Sequence, residues 1–249
     1  MQQTHVRNRF WEIDTMRGIA ICMMVTFHTI FDLTFLGLVN IEISTGFWRY
    51  FAYLTAFLFV FLVGVSLTIS SAHARKVLSK RAYYLKYIRR GLFIFGLGLL
   101  ITLVTWLLIG PWFIRFGILH VIGISIILSI PLLRFKWINL VAGLLIIIAG
   151  EIVHTVRGPD WLLFLGIHSP SFYSVDYTPL LPWFGVVLLG IFLGNLGYPD
   201  GTRRWKVPDL KFPLRTGLVF LGRHSLIIYL VHQPIILLII MAISGNWSL

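Results

Sequence analysis

Four ionisable residues stand in one apolar stretch near the start of the chain: Asp14, Arg17, His28 and Asp32. Charged groups at the centre of a membrane helix cost about 2.5–3.5 kcal/mol on insertion scales, so such residues mark function by default. His28 and Asp32 are four positions apart and share a helical face. A carboxylate beside a histidine orients the ring and stabilises its protonated form, as a general base requires. The same pair also fits a polar lock between packed helices. Arg17 precedes His28 by eleven residues. At 100° and 1.5 Å per residue the two lie nearly on one face, separated by about 16 Å along the axis. That spacing suits an extended ligand, anionic at one end and reactive at the other. Acyl-coenzyme A is such a ligand, with phosphates on its nucleotide and a thioester at the tip of a long thin arm. An ordinary membrane-edge anchor would explain Arg17 equally well.

Other chemistry-bearing residues are spread along the chain: His120, Glu151 with His154, Asp176, and His232 with Gln233. His232 and Gln233 read as a core hydrogen-bonding pair. Arg89 and Arg90, in a basic run with Tyr83, Tyr84 and Tyr87, suit a segment lying on an anionic membrane surface or a grip on phosphate. Arg223 and His224 precede the last apolar stretch, where a helix N-terminus would favour phosphate. No HExxH motif or paired-cysteine spacing supports zinc, and no metal is expected. The one cysteine, Cys22, rules out an intrachain disulfide.

The elements that must position these groups follow from composition. Of 249 residues, 58% are hydrophobic and 12% charged, about half the charge of a soluble domain. The chain is therefore read as an all-α, polytopic membrane protein forming a single domain over 1–249. A membrane crossing needs about 20 apolar residues, which gives about seven transmembrane helices near 13–35, 47–70, 91–110, 116–133, 137–154, 180–197 and 225–243. The first is expected to be a retained span, since no small-x-small cleavage site follows it. Gly190 and Gly194 suit close helix packing in the sixth.

Lys and Arg set the orientation. With a cytoplasmic N-terminus, 18 of the 21 basic residues face the cytoplasm, Arg7, Arg9 and Lys211 among them, and only Arg49, Arg115 and Arg157 lie outside. The net charge of +12 is thus a topology signal rather than a nucleic-acid footprint. The expected location is the cell membrane, with the lipid bilayer as partner.

Four blocks carry a resemblance. Trp11 to Ala20 (WEIDTMRGIA), followed by His28, resembles the first helix of the transmembrane acyltransferases. Phe116 to Ser125 (FGILHVIGIS), Asp176 to Gly194 (DYTPLLPWFGVVLLGIFLG) and Leu221 to Pro234 (LGRHSLIIYLVHQP) resemble the prokaryotic branch of the heparan-alpha-glucosaminide N-acetyltransferase catalytic domain. Together they span nearly the whole chain. The resemblance implies transfer of an acetyl group from cytosolic acetyl-CoA, the donor substrate, to a hydroxyl or amine on a saccharide at the outer side. Arg17 and His28 also match the spacing of an arginine and an essential histidine in type-3 acyltransferases. His28, Asp32, Asp176 and His120 are then the catalytic candidates. Arg17, Arg89, Arg90, Arg223, His224 and His232 are the candidates for holding the coenzyme.

The pattern also departs from the lysosomal enzyme of that family, which has Asn at the position of His28 and uses a later histidine. Here no histidine falls between His28 and His73, so a covalent acetyl-histidine is not carried over, and heparan sulfate is not the expected substrate. The competing reading is a small-solute transporter whose buried His, Asp and Arg line a path, disfavoured by the lack of a visible repeat. A non-catalytic scaffold is a third. A homodimer is compatible with so small a membrane footprint, and no residue pattern decides it.

Overall fold

A computed structural model describes residues 10–208 and 212–245; Arg7, Arg9 and Lys211 lie outside them. The described chain is mostly helical: α1 (Trp11–Phe35), α2 (Gly46–Val77), α3 (Lys80–Ile109), α4 (Ile118–Ser129), α5 (Trp137–Val153), α6 (Leu180–Gly197), α7 (Arg215–Arg223) and α8 (Ser225–Ser244). No strand occurs among the described residues. Helices satisfy every backbone group internally, which hydrocarbon demands.

Among the described residues five helices, α1, α2, α3, α6 and α8, are long and apolar enough to cross a membrane. The other two expected spans are shorter. α4 has 12 residues and α5 has 17, covering about 18 and 26 Å against a hydrocarbon core of about 30 Å. The apolar stretch after α4 runs on as turns through 130–134 rather than as helix. α2 and α3 extend well past the apolar stretches into basic sequence. Arg75 and Lys76 in the last turn of α2 face the negative end of its dipole. Ser79 opens α3 by accepting the Ala82 amide at 3.4 Å.

The chain divides into two compact units, residues 1–59 with 208–249, and residues 60–207. In the first, α7 and α8 both pack on α1. Two glycines bring α7 down to backbone contact: a β-carbon on Gly18 would lie 2.1 Å from the Leu218 carbonyl oxygen, and one on Gly222 would lie 1.8 Å from that of Asp14.

In the second unit α5 packs along α6 and α3 along α4, with α4 also touching α6. Gly190 meets the Phe61 carbonyl and Gly194 meets Thr68, so this pair does mark a close helix seam. The Thr68 hydroxyl lies 3.0 Å from the Gly64 carbonyl and 3.4 Å from that of Ile191. Hydroxyls also join α2 to α3, Ser71 to Tyr83 at 2.8 Å and Ser70 to Tyr87 at 3.0 Å.

Candidate functional site

In the first unit the polar groups gather at two levels of α1. At its start, buried Asp14 accepts from the Arg17 guanidinium at 2.9 Å and from the Arg223 Nε at 3.4 Å. The pairing with Arg17 is local, three residues along one helix. The pairing with Arg223 depends on the glycine seam, which lets the end of α7 reach α1. Two guanidinium groups thus share one carboxylate. Arg223 closes α7 rather than opening α8, and exposed His224 is the hinge residue between them. Its Nδ1–H donates to the Phe220 carbonyl at 2.8 Å.

Beside this cluster is an open recess of about 490 Å³, lined by Trp11, Arg215, Thr216, Phe220, Arg223 and His224. Its volume falls within the usual ligand-pocket range of about 300–1,000 Å³. The Arg215 guanidinium lies 4.5 Å from the centroid of the Trp11 ring. Trp11 and Arg215 were not among the expected site residues. The signal that could have found Arg215 is the basic, amphipathic run between the sixth and seventh apolar stretches, too short to register as a span.

Further along α1, the His28 ring meets His232 of α8 edge to face, with centroids 4.9 Å apart. Asp32, only 2% exposed, accepts from the Gln233 amide at 2.7 Å and makes no hydrogen bond with His28. Side-chain spacing brings His28 and Asp32 onto one face, but the amide offered by α8 is the partner the carboxylate takes. His232 and Gln233 likewise do not bond each other; His232 Nδ1 meets the Tyr229 carbonyl at 2.6 Å. A carbonyl can only accept, so Nδ1 carries the proton, and in the neutral ring Nε2 is a bare lone pair.

Three buried atoms here have no hydrogen-bond partner among the described residues: Asp32 Oδ2, Gln233 Oε1 and His232 Nε2. All three are acceptors. Buried polar atoms are nearly always paired, so a cluster of unpaired acceptors is a place for a hydrogen-bond donor.

In the second unit His120 and Asp176 converge on Gly117, the residue preceding α4. The Gly117 amide donates to His120 Nδ1 at 3.1 Å, while His120 Nε2 lies 3.5 Å from the Thr102 hydroxyl. The ring stacks on Phe116, with centroids 5.2 Å apart, and meets the edge of Phe95. It is 2% exposed. Asp176 accepts from the Thr178 hydroxyl at 3.2 Å and from the Ile118 amide. Burial pushes its carboxyl above the usual range, and those two bonds offset part of the rise. The start of α4 is therefore held by both candidates, through otherwise orphaned amides. Arg89 and Arg90 are exposed on α3 of this unit, and Glu151 and His154 are exposed near the end of α5.

Residues 9–234 match the family model described as heparan-alpha-glucosaminide N-acetyltransferase, catalytic. Searches of curated proteins and of solved structures each found no match.

Proposed function

Given that the chain belongs to the heparan-alpha-glucosaminide N-acetyltransferase catalytic family, we propose that it carries an acetyl group from cytosolic acetyl-CoA to an amine or hydroxyl of a saccharide on the outer side of the cell membrane. We read the chain as crossing the bilayer seven times with its N-terminus in the cytoplasm. The observation that carries the acceptor side is the trio of unpaired acceptors beside His28. An acceptor amine or hydroxyl brings the N–H or O–H that those atoms lack.

The coenzyme enters at the cytoplasmic end of α1. Its phosphates meet Arg17 and Arg223, and its nucleotide occupies the recess formed by Trp11, Arg215 and His224. Asp14 sets the two guanidinium groups side by side. The thioester, at the end of its extended arm, reaches the level of His28, about 16 Å along α1.

His28 then takes the proton from the acceptor as its lone pair attacks the thioester carbonyl. The tetrahedral adduct collapses by breaking the C–S bond. The acetyl group leaves on the acceptor, and the proton on His28 returns to the coenzyme thiolate. Asp32, fixed by Gln233, and His232 hold the acceptor through their free lone pairs. His120 and Asp176 position the loop that precedes α4. No covalent acyl-enzyme and no metal enters the scheme.

The test is acetyl transfer from labelled acetyl-CoA to glucosamine by purified protein in vesicles, with His28→Ala as control. Transfer that vanishes in His28→Ala while acetyl-CoA still binds supports the scheme. An active His28→Ala enzyme would overturn the role of the histidine, and coenzyme-independent solute uptake would favour a transporter.

A further inference from the structure

Within the second unit, α3 carries five basic residues in its first eleven positions: Lys80, Arg81, Lys86, Arg89 and Arg90. The sequences of α2, α3 and α4 hold no Asp or Glu at all. The helices joined to α3 by packing and by hydroxyl bonds, α4 and α2, therefore offer these cations no carboxylate. Arg81 and Arg89 are exposed, and neither makes a hydrogen bond or ion pair among the described residues.

The two sides of α3 differ. Tyr83, Tyr87, Gly91, Ile94 and Gly98 are buried and fall on one face of a helix that turns 100° per residue. The opposite face holds Arg81, Leu85, Arg89, Leu92, Gly96 and Leu103, all exposed. Arg89 and Gly96 are seven residues apart, which places them within about 20° of each other and about 10 Å apart along the axis. A β-carbon on Gly96 would meet nothing within 4 Å, while Leu92, Leu99 and Leu100 around it are large and exposed. The face is thus a shallow apolar slot with two arginines at its head. Leu85 and Ile88 carry the apolar surface up among the basic residues, the mixture suited to the boundary between headgroups and acyl chains.

A second copy of the chain does not suit this face. In a two-fold contact about the membrane normal like residues meet. Arg81 and Arg89 would then oppose their own counterparts with no acid on α3 between them, and like charges so placed repel. An anionic lipid matches both ends, with a phosphate for the guanidinium groups and a chain for the slot.

We infer that this face of α3 binds an anionic phospholipid, its phosphate at Arg89, the rest of its headgroup toward Arg81 and one acyl chain over Gly96. Arg89 then serves a lipid phosphate rather than the coenzyme. The site stands whether or not the chain transfers acetyl groups.

The experiment is native mass spectrometry of the full chain in neutral detergent, titrated with dioleoyl phosphatidylglycerol or dioleoyl phosphatidylcholine. Wild type should bind phosphatidylglycerol at least tenfold more tightly. Arg81→Gln with Arg89→Gln should erase that preference and leave phosphatidylcholine binding as it was. Arg89→Gln alone should lower the preference at least threefold, and it decides the matter if the double variant does not fold. Gly96→Leu, which fills the slot, should weaken both lipids and keep the preference. Equal affinities in wild type, a preference that survives the double substitution, or lipid binding indifferent to Gly96→Leu would each overturn the inference. A dimer that Gly96→Leu disperses would assign the face to a second copy and overturn it as well. Acetyl-CoA displacing phosphatidylglycerol from wild type would return Arg89 to the coenzyme, with the same consequence.

Discussion

Asp14 and Arg223 stand 209 residues apart in the chain and 3.4 Å apart in space. That contact exists because Gly222, next to Arg223, places the α7 backbone directly on the carbonyl of Asp14. A glycine in the block LGRHS thus has a steric reason, and the arginine after it gains a partner.

Gly222→Ala forces a methyl group into the α1 backbone, and overpacking of that kind costs about 1–3 kcal/mol. A β-carbon on Gly217 of the same helix would meet nothing within 4 Å, so Gly217→Ala should stabilise by about 0.5–1 kcal/mol through helix propensity. Thermal melts of the two variants should move in opposite directions. Equal shifts would show that α7 does not sit on α1 as described.

If the shared carboxylate arranges the arginines for phosphate, Arg17→Ala and Arg223→Ala should each weaken acetyl-CoA binding about tenfold, about 1.4 kcal/mol. Asp14→Asn should weaken it as well, although it removes negative charge, because both guanidinium groups lose their anchor. Calorimetry reads all three. Tighter binding in Asp14→Asn would mean that Asp14 only competes with the phosphates.

Gln233→Leu removes one unpaired acceptor and strips Asp32 of its donor. Leaving a buried group unsatisfied costs about 1–3 kcal/mol. The expected result is a raised KM for the acceptor with an unchanged Kd for acetyl-CoA. A fall in coenzyme affinity instead would place the polar cluster on the donor side.

Asp160 is held below its ordinary value of 3.8, chiefly because its carboxylate accepts the Ser169 amide. The folded form therefore binds protons less readily than the unfolded one, and stability rises with pH. The contribution is present above about pH 4 and is lost as pH falls through the depressed folded value. Protection factors for hydrogen exchange across 158–169, taken relative to the intrinsic exchange rate at each pH, should fall on acidification, and Asp160→Asn should remove that dependence.

Much of the helical framework was legible because apolar length is a direct consequence of bilayer thickness. The expected bounds 180–197 coincide with α6, and 225–243 differs from α8 by one residue. α4 fell short because its apolar sequence continues into turns, where composition does not distinguish helix from buried turn. α7 escaped because nine residues are too few for a span. Local spacing suggested Asp32 for His28, and α8 supplied Gln233 to Asp32 instead. Contacts such as Asp14 with Arg223 depend on which helices meet, information that periodicity does not contain.

His120 receives the Gly117 amide on Nδ1, and this ties titration to mechanics. A second proton on the ring would occupy the lone pair that latches the first turn of α4, so acidifying His120 and unlatching that turn are one event. The residue can work as an acid–base group only by letting go of the helix, which makes the start of α4 a built-in reporter of its protonation.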